Sequence, residues 1–188
     1  MASVGSQGVI RDVENFLTEN IATAAADGVK WLISSDSGDT AFAIASSAAR
    51  GIHAAGATSV DDNNLIEFCG ALTGLYAQNG QLALEILVEA SSITGAINFG
   101  FNDDSLDASN TLPVELSGTT FTANAATFLG LVYDSDATND AWHCYWVDGG
   151  TATTTAIADL RMSGCSLAAS QWYKLRVELQ DRGAGNGA

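Results

Sequence analysis

The chain predicts an all-β protein: a two-sheet antiparallel sandwich preceded by an N-terminal arm or short helix. Three observations carry this. From residue 29 onward apolar residues recur with a period of two, in short runs. The runs are punctuated by Asp, Ser, Gly and Asn clusters such as SDSGD and DDNN, which read as turns. Pro113 is the only proline, and roughly ten such runs at spacings of about 8–15 residues fit two packed sheets. A chain of 188 residues with 47% hydrophobic content can bury a real core within one domain. The division expected is an arm at 1–28 and a sandwich at 29–188, with no linker and no internal repeat.

The arm is the least regular part. Ile10, Val13, Leu17 and Ile21 recur at helical spacing, with Asp27-Gly28 as a stop. An amphipathic helix is one reading. The other is an extended arm with a short strand near residues 15–17, favoured because Thr18, Asn20 and Thr23 are poor helix formers.

Strands are then expected at VKWLIS, TAFAIAS, GIHAAGA and LIEFC. QLALEILVEA follows, with Leu82, Leu84, Ile86 and Val88 on one face and Glu85, Leu87 and Glu89 on the other. Leu, Ala and Glu also suit a helix, but strict alternation among strand-like neighbours decides for a strand. AINFGF precedes an acidic loop at 102–110, a strand at 112–116 and a turn at Ser117-Gly118. Residues 128–150 predict a hairpin: Leu129, Leu131 and Tyr133 on one side, Phe128 and Val132 on the other, then an acidic connection at 134–140. Its second strand holds a dense aromatic cluster. Trp142 and Trp146 are four apart, so they share a side with Cys144, and that side is expected to be buried. His143, Tyr145 and Val147 take the opposite face. A Thr-rich stretch at 151–155 leads to WYKLRVEL, where Tyr173, Leu175, Val177 and Leu179 alternate with Trp172, Lys174, Arg176 and Glu178. Residues 181–188 read like the connection of a further hairpin whose returning strand is missing: either the chain ends there in a mobile tail, or the natural sequence runs further.

Composition excludes several functions. With 22 acidic against 7 basic residues the formal charge is −15, which a phosphate backbone repels, so nucleic acid is not an expected partner. No apolar run approaches the ~20 residues of a membrane-spanning helix, and MASVGSQGVIRDV has no secretory pattern. Neither a membrane nor export is expected. Cys69, Cys144 and Cys165 are an odd count without CxxC spacing, so three reduced thiols are expected rather than a disulfide framework.

Candidate chemistry is sparse. His143-Cys144 invites a nucleophile and its base, but adjacent strand residues point to opposite faces and cannot form a dyad together. Zinc held by Cys69, Cys144, Cys165 and a histidine lacks paired spacing. The acidic loops Asp103-Asp104-Ser105-Leu106-Asp107 and Asp134-Ser135-Asp136-Ala137-Thr138-Asn139-Asp140 offer oxygens to Ca²⁺, the best cofactor expectation, but without the mid-loop Gly of an EF-hand. Solvated turns are the simpler reading. Among 22 acids some pair always suits glycoside hydrolysis, and Glu85 and Glu89 on an outward strand face point to solvent instead. No residue is therefore assigned as catalytic, cofactor-binding or metal-ligating, and no enzymatic activity is expected.

One stretch carries a resemblance. AINFGFNDDSLDASNTLPVELSGTTFTANAATFLGLVYDSDATNDAWHCYWVDGG, followed by WYKLRVEL before a Gly-rich turn, resembles the concanavalin-like (jelly-roll) β-sandwich structural proteins of tailed-bacteriophage virions. The similarity covers roughly residues 31–187 and is best at 81–179; residues 1–28 lie outside it. It implies a virion protein that decorates or cements the outer capsid surface, or serves a head fibre. The implied partners are the major capsid protein and further copies of the chain, with a trimer favoured at local threefold positions. The implied location is the outer capsid surface after synthesis in the host cytoplasm. A carbohydrate-binding, lectin-like module of a head or tail fibre is the alternative, since this fold also hosts lectins and glycanases.

Overall fold

The computed structural model describes residues 3–4, 10–11, 14–16, 21–23, 29–59, 64–70, 81–103, 111–148, 161–162 and 164–180. Among these every regular element is a β-strand, as the alternation predicts. The chain divides into two compact units, Met1–Thr73 and Gly74–Ala188. The expected turn at Asp61-Asp62-Asn63, the Thr-rich stretch at 151–155 and the tail at 181–188 lie outside the described residues.

The first unit contains β1 (Ser3–Val4), β2 (Ile10–Arg11), β3 (Ile21–Ala22), β4 (Trp31–Ser35), β5 (Thr40–Ser47), β6 (Gly51–Ala57) and β7 (Ile66–Gly70). β1 pairs with β2, and β5 with β6 in a hairpin. β4 lies between β3, parallel to it, and β7, antiparallel. Residues 12–13 and 17–20, which carry much of the helix considered for the N-terminal segment and part of the strand near 15–17, lie outside the described residues. Asn15 and Phe16 are irregular, and Phe16 sits at a φ of 53°. Glu14 supplies the reason. Its Oε1 accepts the amides of Asn15 and Phe16 at 2.9 and 2.6 Å, a local alternative to both helix and ladder. Its Oε2 meets Lys30 Nζ and Trp31 Nε1, each at 3.1 Å. Trp31 stacks on Phe68 at 4.9 Å between centroids, and Phe16 and Phe42 approach Phe68 edge-on. Only Leu32 among the unit's described side chains is buried, since the Ala-rich strands bring little volume to a core.

The second unit is built in layers. It contains β8 (Gln81–Glu89), β9 (Ala96–Asn102), β10 (Val114–Ser117), β11 (Thr120–Ala123), β12 (Phe128–Asp134), β13 (His143–Val147) and β14 (Trp172–Gln180). The middle layer is the antiparallel sheet β13-β12-β9. Even-numbered residues of β12, Phe128 and Val132, pack with Val114, Leu116 and Phe121 of the β10–β11 hairpin and with Tyr145 and Val147 of β13. Odd-numbered residues Leu129, Leu131 and Tyr133 pack with Phe99 of β9, Val88 of β8, and Leu175 and Val177 of β14. β12 is thus covered on both faces and paired at both edges. Phe121 stacks on Tyr145 at 4.1 Å, a contact worth about 0.5–1.5 kcal/mol beyond its area.

Alternate amides of β10 find side chains rather than another strand. Val114 N donates to Asn98 Oδ1 at 2.9 Å, and Asn98 Nδ2 donates to Val114 O at 3.0 Å. Leu116 N donates to Asp134 Oδ2 at 3.2 Å. Both acceptors belong to the middle sheet, so two polar clamps fasten the hairpin to it. The predicted turn at Ser117-Gly118 is present, with Gly118 at a φ of 59° that a side chain disfavours.

Gly100 of β9 and Gly130 of β12 stand directly opposite each other. A Cβ on Gly100 would lie 2.2 Å from Leu129 O and 2.6 Å from Gly130 Cα, and one on Gly130 would lie 2.3 Å from Phe99 O. The obstructing atoms are backbone, so the strands must separate to admit a methyl. Gly130→Ala is therefore expected to cost about 3 kcal/mol or more, the upper end of overpacking. Gly38→Ala at an open turn is expected to cost less, through φ strain alone. Urea titrations of the two variants against the parent check both expectations.

Candidate functional site

The residues that looked most chemical cluster at β12, β13 and their connection, and the fold uses most of them for packing. His143 is fully buried and pairs across the sheet with Val132. Phe121 meets its ring edge-on at 6.0 Å. Neither ring nitrogen has a hydrogen-bond partner among the described residues. Burial holds its pKa below the ordinary imidazole value; the Ala141 backbone is the next influence and raises it, Arg161 lowers it again, and the Val132 backbone raises it least. Burial thus favours the neutral form of a ring packed in the core.

Cys144 points to the other face, as strand parity requires, so the two residues form no dyad. The expected burial of that face is corrected. Cys144 is exposed, and Trp146 keeps 49% of its surface. Trp142 is buried at 2%, because it precedes β13 and turns against Tyr133 at 5.7 Å. The covering side chains on the Leu131 face reach β9 and β12, and no β13 residue joins that cluster. The Cys144 thiol still lies low enough for burial to push its pKa up, which disfavours the thiolate.

The 134–140 connection is not a plain solvated turn. Asp134 is 8% exposed and ends β12. Its Oδ1 accepts Asp136 N at 2.9 Å while Oδ2 takes Leu116 N. Burial raises its pKa, and those two amides work to lower it. Gly118 N donates to Asp136 O at 2.8 Å and Thr138 N to Gly118 O at 2.7 Å, which zips this connection to the β10–β11 turn. Ala137 joins the core beside them. Asp136 and Asp140 remain exposed. In the other acidic loop, Asp103 Oδ1 accepts Thr127 N at 2.8 Å, while residues 104–110 lie outside the described residues.

Among the described residues no three His, Cys, Asp or Glu side chains gather as a metal site. Cys69 belongs to the first unit, Cys144 and Cys165 to the second, and none of the three is joined in a disulfide. His53 lies on β6 with Nδ1 3.0 Å from Gly51 O. A shallow open groove beside the 134–140 connection is lined by residues 138–141, Arg161, Gly164 and Ser166, where Arg161 Nη1 donates to Asn139 Oδ1 at 2.9 Å.

β8 is the strand predicted from alternation, and Glu85 meets solvent on its outer face. Lys174 Nζ and Arg176 Nη1 lie 3.0 and 3.1 Å from its carboxylate and hold its pKa below the usual value. Arg176 also pairs with Glu178. Leu87, 62% exposed, and Trp172, 44% exposed, share this face. Sequence reasoning missed Asn98 as a structural clamp, although a polar residue inside AINFGF was a usable signal. No protein-family model matches the chain, and no curated protein or solved structure matches it either.

Two outcomes follow from the buried polar groups. The folded chain resists protonating His143, whereas the unfolded chain protonates it near 6.5. Stability is therefore present above that value and falls as pH drops through it toward the lower folded pKa. Asp134 acts oppositely and lower, in the carboxylate range, where its raised pKa makes protonation favour the folded state. His143→Leu is expected to remove most of the stability loss between about pH 7.5 and about pH 5.5, read as urea midpoints; an unchanged slope contradicts this. Asp134→Ala leaves the Leu116 and Asp136 amides without their acceptor and is expected to cost about 1–3 kcal/mol at neutral pH, with Asp134→Asn milder.

Proposed function

We propose that the chain is a non-enzymatic structural subunit of a tailed-bacteriophage virion, decorating or cementing the outer capsid surface with the major capsid protein as partner. The observation that carries the proposal is how the region of best resemblance is used. From Phe99 to Val177 its aromatic and acidic residues build two core clusters and the clamps between layers, which makes a compact block of sheets. We assign the second unit to the concanavalin-like sandwich on the same resemblance.

Charge supports the outer location. Packaged DNA is a polyanion, and a protein of charge −15 is repelled from it. A cement subunit adds buried area across capsomer junctions and stabilises the assembled shell by mass action. Synthesis takes place in the host cytoplasm, and several copies act together.

Trp146 favours a second reading, a glycan-binding module on a fibre. An indole 49% exposed on β13 offers a stacking face to a sugar ring.

Copy number in purified virions tests the first reading. Hundreds of copies per particle are expected, whereas a dozen or fewer would place the chain in the tail or portal apparatus. Deleting residues 1–28 is expected to lower capsid occupancy while the second unit keeps its near-ultraviolet signal; unchanged occupancy refutes a role for that segment in attachment. A glycan array, run with and without chelator and repeated with Trp146→Ala, tests the second reading. Binding lost in the variant supports it, and silence of the parent chain rejects it.

A further inference from the structure

The outward face of the β8–β14 ribbon is unlike the rest of an acidic protein. Antiparallel register places Glu85 opposite Arg176, Leu87 opposite Lys174, Glu89 opposite Trp172 and Ala83 opposite Glu178. Two of the chain's seven cations meet three carboxylates here, so this face is close to neutral while the whole chain carries −15. It also holds two of the large exposed apolar side chains, Leu87 and Trp172, at one end of the ribbon. Repulsion between copies is low here, and apolar gain is available at the same place.

We propose that this face is a homotypic docking surface, closed by the same face of a second copy about a two-fold axis parallel to the strands. The reason lies in the register. Such an axis exchanges the two strands, so β8 of one copy lies over β14 of the other at the same level. Each residue then faces the partner's equivalent of its own cross-strand neighbour. Arg176 meets the partner's Glu85, and Glu85 meets the partner's Arg176. Leu87 lies on the alkyl stem of the partner's Lys174, and Trp172 lies over the partner's Glu89. A cross-strand pair of opposite charge is self-complementary under this rotation, and a like-charged pair would not be. The four large apolar side chains of two copies gather at one end.

The interface is small. Nine residue pairs at about 3.4 Å give a ribbon about 30 Å long, and two strands about 10 Å wide. That falls below the ~1,200–2,000 Å² buried in stable complexes and places the pairing in the weak, reversible class. It is a two-fold contact, distinct from the threefold grouping that the capsid resemblance implies, and it does not depend on the capsid reading.

Sedimentation velocity on the full-length chain at about 100 µM, a concentration suited to a weak interface, tests the proposal. The parent is expected to show a monomer–dimer equilibrium. R176E and E85R each place like charges face to face and are expected to weaken it about tenfold or more. An equimolar mixture of these two variants restores both pairings between unlike copies, so dimer is expected to return. A parent that stays monomeric, as when another part of the chain covers the ribbon, overturns the proposal. So does a parent that forms trimers, or single variants that associate undiminished. A mixture that fails to recover dimer also overturns it, because the charges then act only within one copy.

Discussion

β12 is the constraint on which the second unit depends. A strand paired at both edges and covered on both faces needs apolar side chains in both directions along its length, and FLGLVY supplies them. The same strand must let β9 approach closely, which Gly130 and Gly100 allow by having no side chain at their crossing. Two hydrophobic clusters of different make-up then form on opposite faces. Each is small, but they share a wall, so a change in β12 is felt in both.

The layers are joined by polar groups as well as by area. Asn98 and Asp134 accept β10 amides that have no further strand to pair with, and the β10–β11 turn bonds to the connection after β12. Such contacts are modest when made and costly when lost, since a stranded amide retains its full desolvation penalty. They orient the outer hairpin in a way that apolar packing, being non-directional, does not. His143 is buried in the same region, where Phe121 meets its ring edge-on. His143, Asp134 and Asp103, which suggested chemistry, thus take part in packing and in backbone hydrogen bonds. Among the described residues Trp146 and the charged β8–β14 ribbon stay open to solvent.

Strands were legible because side chains alternate with a period of two wherever one face is buried. TAFAIAS, QLALEILVE and WYKLRVELQ became β5, β8 and β14, and the parity of His143 against Cys144 excluded a dyad before any coordinates. The face of β13 that meets solvent was not legible. Two tryptophans and a cysteine look like core by area, yet among the described residues β13 is the outer named strand of its sheet, bridged on that side only through His143 to Arg161, and the covering side chains stop short of it. Edge position is a property of the assembled sheet. The role of Glu14 was hidden for a similar reason, since a carboxylate that joins its own amides to Lys30 and Trp31 leaves no periodic trace.

The sequence by itself determined the class of structure, the parity of each strand and an electrostatic character hostile to polyanions, because periodicity and net charge are properties of the chain alone. Tertiary structure decided the rest: which strand became central, which parity met solvent, and which acids turned inward as clamps. Those outcomes depend on neighbours far apart in sequence. Asp134 is a surface acid in any local reading, yet it is buried, and its Oδ2 accepts the β10 amide of Leu116 from far along the sequence.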